Sequence, residues 1–418
     1  MQKIISILLL LACLFLLVLP VRGLISTGEN IRLEMTKCPV DSGDKVLRMT
    51  AGKLDVHVAA ATPASMYAKA YCVMDTESGR VLLSKNSDQK MPMASTTKIM
   101  TCILALESGK LDEFIPVSTY AASMPDVQLN IREGEKYRLK DMLYSLMLES
   151  HNDTAVAIAE YLGGSVKKFA ELMNQKATEL GCTSTHFVTP NGLDDQEHYT
   201  TAKELCIIAS YAIQNESFLK IIQTPQYRFQ EKSGNREFLV SNHDAFLQQY
   251  KGAIGIKTGF TGNAGYCFCG AASRNGRTLV SSVLACGWPP NRSYKWSDTG
   301  KLMDYGFQGF KTCTIPEPDE AIYLPVQNGQ KSYVSVSKVS NNNEQVQMPL
   351  KADDVIEIKK TLPEVLSAPV REGDIVGTQD LMLNGIQIKS VPMIAEESVR
   401  PMDIPYVFSH LLRQIMFQ

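Results

Sequence analysis

From Lys98 to Glu107 the apolar residues Ile99, Ile103, Leu104 and Leu106 recur at helical spacing, and Gly109 stands where such a helix would stop. The same period predicts helices over 140–149, 153–162, 166–180 and 201–214, with a last one over 296–306. On both sides of this helical middle the period shortens. Ala70 to Met74 and Val81 to Leu83 flank the polar turn Glu77-Ser78-Gly79-Arg80. Tyr266 to Ala272 and Thr278 to Ala285 flank Arg274-Asn275-Gly276-Arg277, and Asn-Gly between apolar runs is a strong hairpin signal. Strands at both ends of a helical middle pack most simply as one antiparallel sheet with helices on its faces, an α+β domain over 66–318.

Beyond that domain the pattern changes again. Short β-rich runs such as Ser332 to Val339 and Val355 to Lys359 alternate with Asn, Gly and Pro turns, which predicts a second, small all-β domain over 319–398. In 399–418 the residues Val407, Phe408, Leu411, Leu412, Ile415 and Met416 gather on one face of a helix. That helix is too short to cross a bilayer but suits a membrane surface, or equally a docking site on its own protein.

At the other end, Lys3 precedes an apolar run from Ile4 to Leu19, closed by Pro20-Val21-Arg22-Gly23. Residues 1–23 therefore read as a secretory signal peptide rather than an uncleaved anchor. Leu10-Leu11-Ala12-Cys13 faintly resembles a lipoprotein signal, but the apolar run continues through the cysteine. Residues 24–65 show no clear period and read as leader or linker. An exported chain with ten cysteines invites disulfides. No CxxC occurs, and most cysteines lie inside apolar runs, so they read mainly as small buried hydrophobes. The histidines lack metal-ligand spacing, so neither a metal nor a cofactor is expected. The net charge of −2, without a dense Lys/Arg run, argues against a nucleic-acid partner.

The candidate chemistry lies where the first long helix begins, at Ser95-Thr96-Thr97-Lys98. SxxK occurs six times in the chain, and only this copy joins a preceding strand pair to an apolar helix. A plain helix cap is the simple reading. The alternative is a nucleophile, because residues three apart share a helix face and a lysine there can take the serine's proton if its pKa is lowered. Two further segments favour that alternative. Lys257-Thr258-Gly259 ends an apolar run and offers a cation, a hydroxyl and an approachable backbone. Ser150-His151-Asn152 sits between two apolar helical runs, where a helix–helix turn is the bland explanation.

SxxK, an SxN triplet and KTG in this order occur in penicillin-binding proteins and β-lactamases. The chain resembles the low-molecular-mass penicillin-binding proteins, serine-type D-alanyl-D-alanine carboxypeptidases. The likeness extends to Ala68-Lys69-Ala70-Tyr71 through Lys110, to Thr185-His186-Phe187-Val188-Thr189-Pro190-Asn191-Gly192-Leu193, and to 369–398. It implies the penicillin-binding/β-lactamase-like transpeptidase fold and an enzyme on the extracytoplasmic face of the membrane or in the wall. Its substrates would be peptidoglycan stem peptides, with β-lactam antibiotics as acylating mimics.

By that resemblance Ser95 is the nucleophile, Lys98 the general base and Ser150 a proton relay. Asn152 binds the acyl side chain, Lys257 and Thr258 hold the terminal carboxylate, and Gly259 lets the substrate approach. The N–H groups of Ser95 and Phe260 form the oxyanion hole. Phe260 stands where several relatives have histidine, and His151 fills a variable position. The rival readings are a β-lactamase on the same fold, for which no glutamate-bearing segment is evident, and an inactive wall-binding scaffold.

Overall fold

The computed structural model describes residues 45–316, 322–339 and 345–416. The predicted signal peptide, the first part of the leader and the last two residues lie outside this range. The first element is the strand β1 (Lys45–Thr50). The hairpin β2 (Ala70–Asp75) and β3 (Val81–Lys85) follows, then the helix α1 (Lys98–Glu107). The middle holds a ribbon of β4 (Phe114–Pro116) and β5 (Lys136–Arg138), then α2 (Leu139–Tyr144), α3 (Asn152–Gly163) and α4 (Val166–Glu179). After these come α5 (Ala202–Ala212), α6 (Glu216–Gln223) and a second ribbon, β6 (Gln226–Gln230) and β7 (Glu237–Ser241). The domain closes with β8 (Ala253–Thr261), β9 (Gly265–Arg274), β10 (Arg277–Leu284) and α7 (Tyr294–Gly309).

The expected sheet forms from both ends of the domain, in the order β3-β2-β10-β9-β8 and antiparallel throughout. Asn275 and Gly276 both take positive φ, 51° and 77°, as the tight β9–β10 turn requires. Side chains alternate between two cores with the strand period. Ala70, Cys72, Cys267, Cys269 and Val280 enter the core under the helical middle. Tyr71, Val73, Phe268, Leu279 and Val283 enter the core under α7. All eight described cysteines are free, and seven of them are buried. With helices on both faces, β8 remains as one edge of the sheet, open for a further strand.

The second domain holds β11 (Lys311–Thr314), β12 (Ile322–Gln327), β13 (Tyr333–Lys338) and β14 (Gln347–Leu350). It continues with β15 (Val355–Thr361), β16 (Leu366–Ser367), β17 (Ile375–Leu383) and β18 (Ile386–Ala395). Its seven-stranded sheet runs β1-β15-β17-β18-β13-β12-β16, while β11 pairs with β14. Two boundaries differ from expectation. Residues 45–50, expected as leader or linker, pair antiparallel with β15 from Lys45↔Lys360 to Thr50↔Val355. Burial fixes this strand, since Ala51 and Val56 just after it are fully enclosed in the β domain's core. The β domain also begins earlier than 319, because β11 already pairs within it.

A buried ion pair ties the domains together. Arg80, in the β2–β3 turn, donates to both oxygens of Asp354, at 2.7 and 2.8 Å. Asp354 is wholly enclosed and also accepts from Lys351 N and Asn384 Nδ2. Bidentate guanidinium–carboxylate geometry with the remaining lone pairs filled lets a buried charge persist. The last described element is α8 (Ile404–Met416). Its apolar residues face outward: Ile404, Val407, Phe408, Leu411, Leu412, Ile415 and Met416 are all exposed. Among the described residues no single helix is long and apolar enough to cross a membrane.

Candidate active site

Ser95 lies in a tight helical turn, Ala94–Thr97, that runs directly into α1. Ala94, just before it, has φ 49°, a region that costs a non-glycine residue energy. Two neighbouring hydroxyls hold the turn. Thr96 Oγ1 donates to Met93 O at 2.7 Å, and Thr97 Oγ1 donates to Ala94 O at 2.8 Å. Ser95 makes no capping bond of this kind. Its hydroxyl instead meets the Lys98 amine, with Nζ 2.9 Å from Oγ.

Lys98 is fully buried. Its Nζ also donates to Asn152 Oδ1 at 2.8 Å and to Asn191 O at 2.6 Å. Burial pushes its pKa well below the ordinary lysine value, nearby Lys257 pushes the same way, and Asp153 opposes them. The partners decide how the amine is oriented when it is neutral. Two of the three acceptors, an amide oxygen and a backbone carbonyl, can only accept. With two N–H groups held there, the lone pair of a neutral amine would face Ser95 Oγ, the one partner able to donate, whose hydroxyl also reaches Asn191 O at 3.4 Å. Such an arrangement can pass a hydroxyl proton to an amine.

The triplet beginning at Ser150 follows a π-helical turn, Ser145–Glu149. Ser150 itself takes φ 71°, and its buried Oγ has no hydrogen-bond partner among the described residues. Such π turns and strained backbones gather at functional sites. Asn152 Nδ2 donates to Pro125 O and Asp126 O at 3.2 and 3.1 Å, which orients Oδ1 toward Lys98. Asp153 accepts from Leu129 N and Ile131 N and pins the same loop. His151 is engaged elsewhere. Its Nδ1 lies 2.8 Å from Ser145 Oγ, and its Nε2 lies 3.2 Å from Glu149 Oε2. Burial lowers its pKa to about 4 despite Glu149, so it stands as a neutral structural group.

The opposite wall is the edge strand β8. Lys257 is buried, and its Nζ donates to Thr258 O at 3.2 Å. Its pKa falls to about 7, through burial that Asp244 partly offsets. Asp244 is itself buried and raised to about 6 by desolvation. A Cβ on Gly259 would sit 3.0 Å from Ser95 N and 3.2 Å from Met93 O. The absence of a side chain therefore lets the strand backbone meet the Ser95 turn. Phe260 is 43% exposed, with its ring 4.7 Å from that of Tyr266. Segments of the SxxK, SxN and KTG motifs thus lie together near Ser95.

One contribution went unread in the sequence. The segment 185–193, quoted above only for its family likeness, runs beneath the Ser95 turn. It supplies Asn191 O to Lys98, and Pro190 O accepts from Thr101 Oγ1 at 2.7 Å. Gly192 has φ 85°, and a Cβ there would lie 2.0 Å from Ala94 O. The Asn191-Gly192 pair signalled a turn. A backbone carbonyl serving a lysine leaves no side-chain signature.

Comparisons with known proteins give the family. The family profile described as D-alanyl-D-alanine carboxypeptidase matches residues 57–287. A second profile, penicillin-binding protein 5, C-terminal domain, matches 310–401. The chain is 30% identical over 342 residues to D-alanyl-D-alanine carboxypeptidase DacF of Bacillus subtilis, covering 80% of this chain and 86% of that one. The crystal structure of penicillin-binding protein 5 from Haemophilus influenzae superposes with a TM-score of 0.65 at 27% identity, over 82% of this chain and all of that one. The Streptomyces K15 DD-transpeptidase superposes at 0.56 with 33% identity, over 59% of this chain and 99% of its own.

Proposed function

Because the chain belongs to the D-alanyl-D-alanine carboxypeptidase family, and so is a serine hydrolase that removes the terminal D-alanine of peptidoglycan stem peptides and is acylated by β-lactams, we propose that Ser95, Lys98 and Ser150 carry its chemistry. The supporting observation is the buried Lys98 amine 2.9 Å from Ser95 Oγ, the one of its three hydrogen-bond partners that is also able to donate. Neutral Lys98 takes the Ser95 proton as Oγ attacks the carbonyl between the two D-alanines. The tetrahedral oxyanion sits between the N–H groups of Ser95 and Phe260, a placement that the close approach of Gly259 to Ser95 N supports. The proton passes from Lys98 through the otherwise unpartnered Ser150 hydroxyl to the leaving nitrogen. The C–N bond breaks, D-alanine departs, and an ester to Ser95 remains. Water, deprotonated by Lys98, then releases the shortened peptide.

Asn152 holds the acyl chain in this scheme, while Lys257 and Thr258 receive the terminal carboxylate at the edge of β8. No metal or cofactor enters any step. The test is release of D-alanine from a diacetyl tripeptide ending in D-Ala-D-Ala, together with covalent labelling by a fluorescent penicillin. Ser95→Ala abolishes both if the assignment is right. Persistent labelling of Ser95→Ala would overturn it. The same label separates the β-lactamase reading, since rapid turnover of nitrocefin in place of a lasting acyl-enzyme would favour that rival.

The enzyme acts on the cell wall, and we place it at the extracytoplasmic face of the cell membrane through α8, whose exposed apolar face is long enough to lie in the interface. Sedimentation with anionic lipid vesicles checks this. Deleting 404–418 releases the protein without loss of turnover on soluble tripeptide, and unchanged sedimentation would refute the placement.

A further inference from the structure

Thr97 sits between the two candidate reactive residues of the SxxK segment, and its hydroxyl is bonded to Ala94 O and His198 rather than to either side chain. Its hydroxyl lies 2.7 Å from His198 Nε2, on a histidine that is buried and packed edge-on against Phe187 at 5.9 Å. The hydrogen bonds around His198 fix the direction of this contact. Val188 N donates to His198 Nδ1 at 3.0 Å, and Thr189 N approaches the same atom at 3.3 Å. Nδ1 is therefore the acceptor, and the proton of the neutral ring is on Nε2. Nε2–H donates to Thr97 Oγ1, and Thr97 turns its own hydrogen to Ala94 O at 2.8 Å. Burial keeps His198 neutral, with its pKa lowered to about 4, so the relay keeps one direction across ordinary pH.

The relay ends on the carbonyl of the strained residue just before Ser95. From another side the Gly192 backbone comes so near the same carbonyl that a Cβ would overlap it, and Asn191 O beside it accepts from Lys98. One segment thus clamps the turn and holds the base. We propose that His198 is a positioning residue for acylation, holding the Ala94–Ser95 backbone through Thr97 Oγ1 and the Ala94 carbonyl so that the Ser95 hydroxyl meets the Lys98 lone pair. This inference rests on Ser95 as nucleophile. The Thr97 hydroxyl can still reach Ala94 O without its donor, so loss of His198 loosens the turn and does not remove it.

The experiment uses the full chain and compares Thr97→Val, Thr97→Ser, His198→Phe, His198→Gln and the Thr97→Val/His198→Phe pair. The readouts are fluorescent-penicillin acylation rate, kcat and KM on the diacetyl tripeptide, and thermal midpoint. Thr97→Val and His198→Phe each slow acylation about tenfold with KM little changed, the size of one lost hydrogen bond at a reacting group. Thr97→Ser and His198→Gln, which keep a hydroxyl and a donor, stay within about threefold of the parent on the same scale. The double variant is no slower than the slower single one, because both break one chain of bonds.

Acylation by Thr97→Val at the parent rate overturns the inference. So do losses that multiply in the double variant, or His198→Gln behaving like His198→Phe. If the His198 variants do not fold, the Thr97 pair decides alone. Ser95→Ala, run beside them, separates the two levels. Labelled Ser95→Ala sinks the nucleophile assignment and this inference together, whereas unlabelled Ser95→Ala with unaffected Thr97→Val sinks this inference only.

Discussion

The helical wall of the cleft carries Lys98 and the strand wall carries Lys257, and burial lowers the pKa of both. They differ in their company. Lys98 faces a second cation, Lys257, which adds to burial in favouring loss of a proton, while Asp153 and its acceptors oppose that loss. Lys257 has one backbone acceptor and the Asp244 carboxyl, which favours keeping one. Under the proposed assignment equal burial serves opposite tasks, and the neighbours are what differ.

The comparison breaks most sharply with arginine. Arginine stays charged at any working pH. Lys98→Arg should lower acylation by about 10²–10⁴-fold, the usual span of a lost general base. Lys257→Arg, where only charge is needed, should lose less than about tenfold, the scale of one hydrogen bond. Equal losses in penicillin-labelling rates would erase the distinction drawn between the walls.

The two close-packed glycines sharpen it at a smaller scale. Gly192→Ala forces a Cβ onto Ala94 O in a backbone that side chains rarely adopt, so about 1–3 kcal/mol of stability should go, from strain alone. Gly259→Ala meets Ser95 N at 3.0 Å without a positive φ. It should slow acylation while moving the thermal midpoint little. Denaturant unfolding and labelling kinetics on the same two proteins distinguish the outcomes, and a reversed pattern would contradict the assignment of frame and cleft.

The smallest effect concerns pH. Lys257 must be protonated to hold a carboxylate, so kcat/KM falls as pH rises through about 7, the value for the free site. Asp244 raises that value. Asp244→Asn therefore lowers it, and the alkaline limb moves to lower pH. A limb that stays in place, or moves upward, would show that Asp244 does not act on Lys257.

The legible parts of the sequence were those with local signatures. Asn275-Gly276 fixed a hairpin, and the apolar periods located α1, α3, α4 and α5 within a few residues. The three motifs were readable because side chains carry their chemistry. Three kinds of feature were not. The β4–β5 and β6–β7 ribbons are short and lack a two-residue turn. β1 lacks a nearby partner, since its mate β15 lies beyond the entire catalytic domain. The Asn191 carbonyl and the His198 relay depend on a loop returning beneath α1, which no spacing encodes.

The pairing of β1 with β15 makes the catalytic unit an excursion out of the β sheet. The chain leaves that sheet after Thr50 and pairs within the β domain again at Lys311. A unit moored at both ends, and riveted by Arg80 to Asp354, cannot swing about one connection. A polypeptide begun at residue 57, where the family profile starts, would lose one mooring and lay bare the β15 edge for pairing with a neighbour's strand.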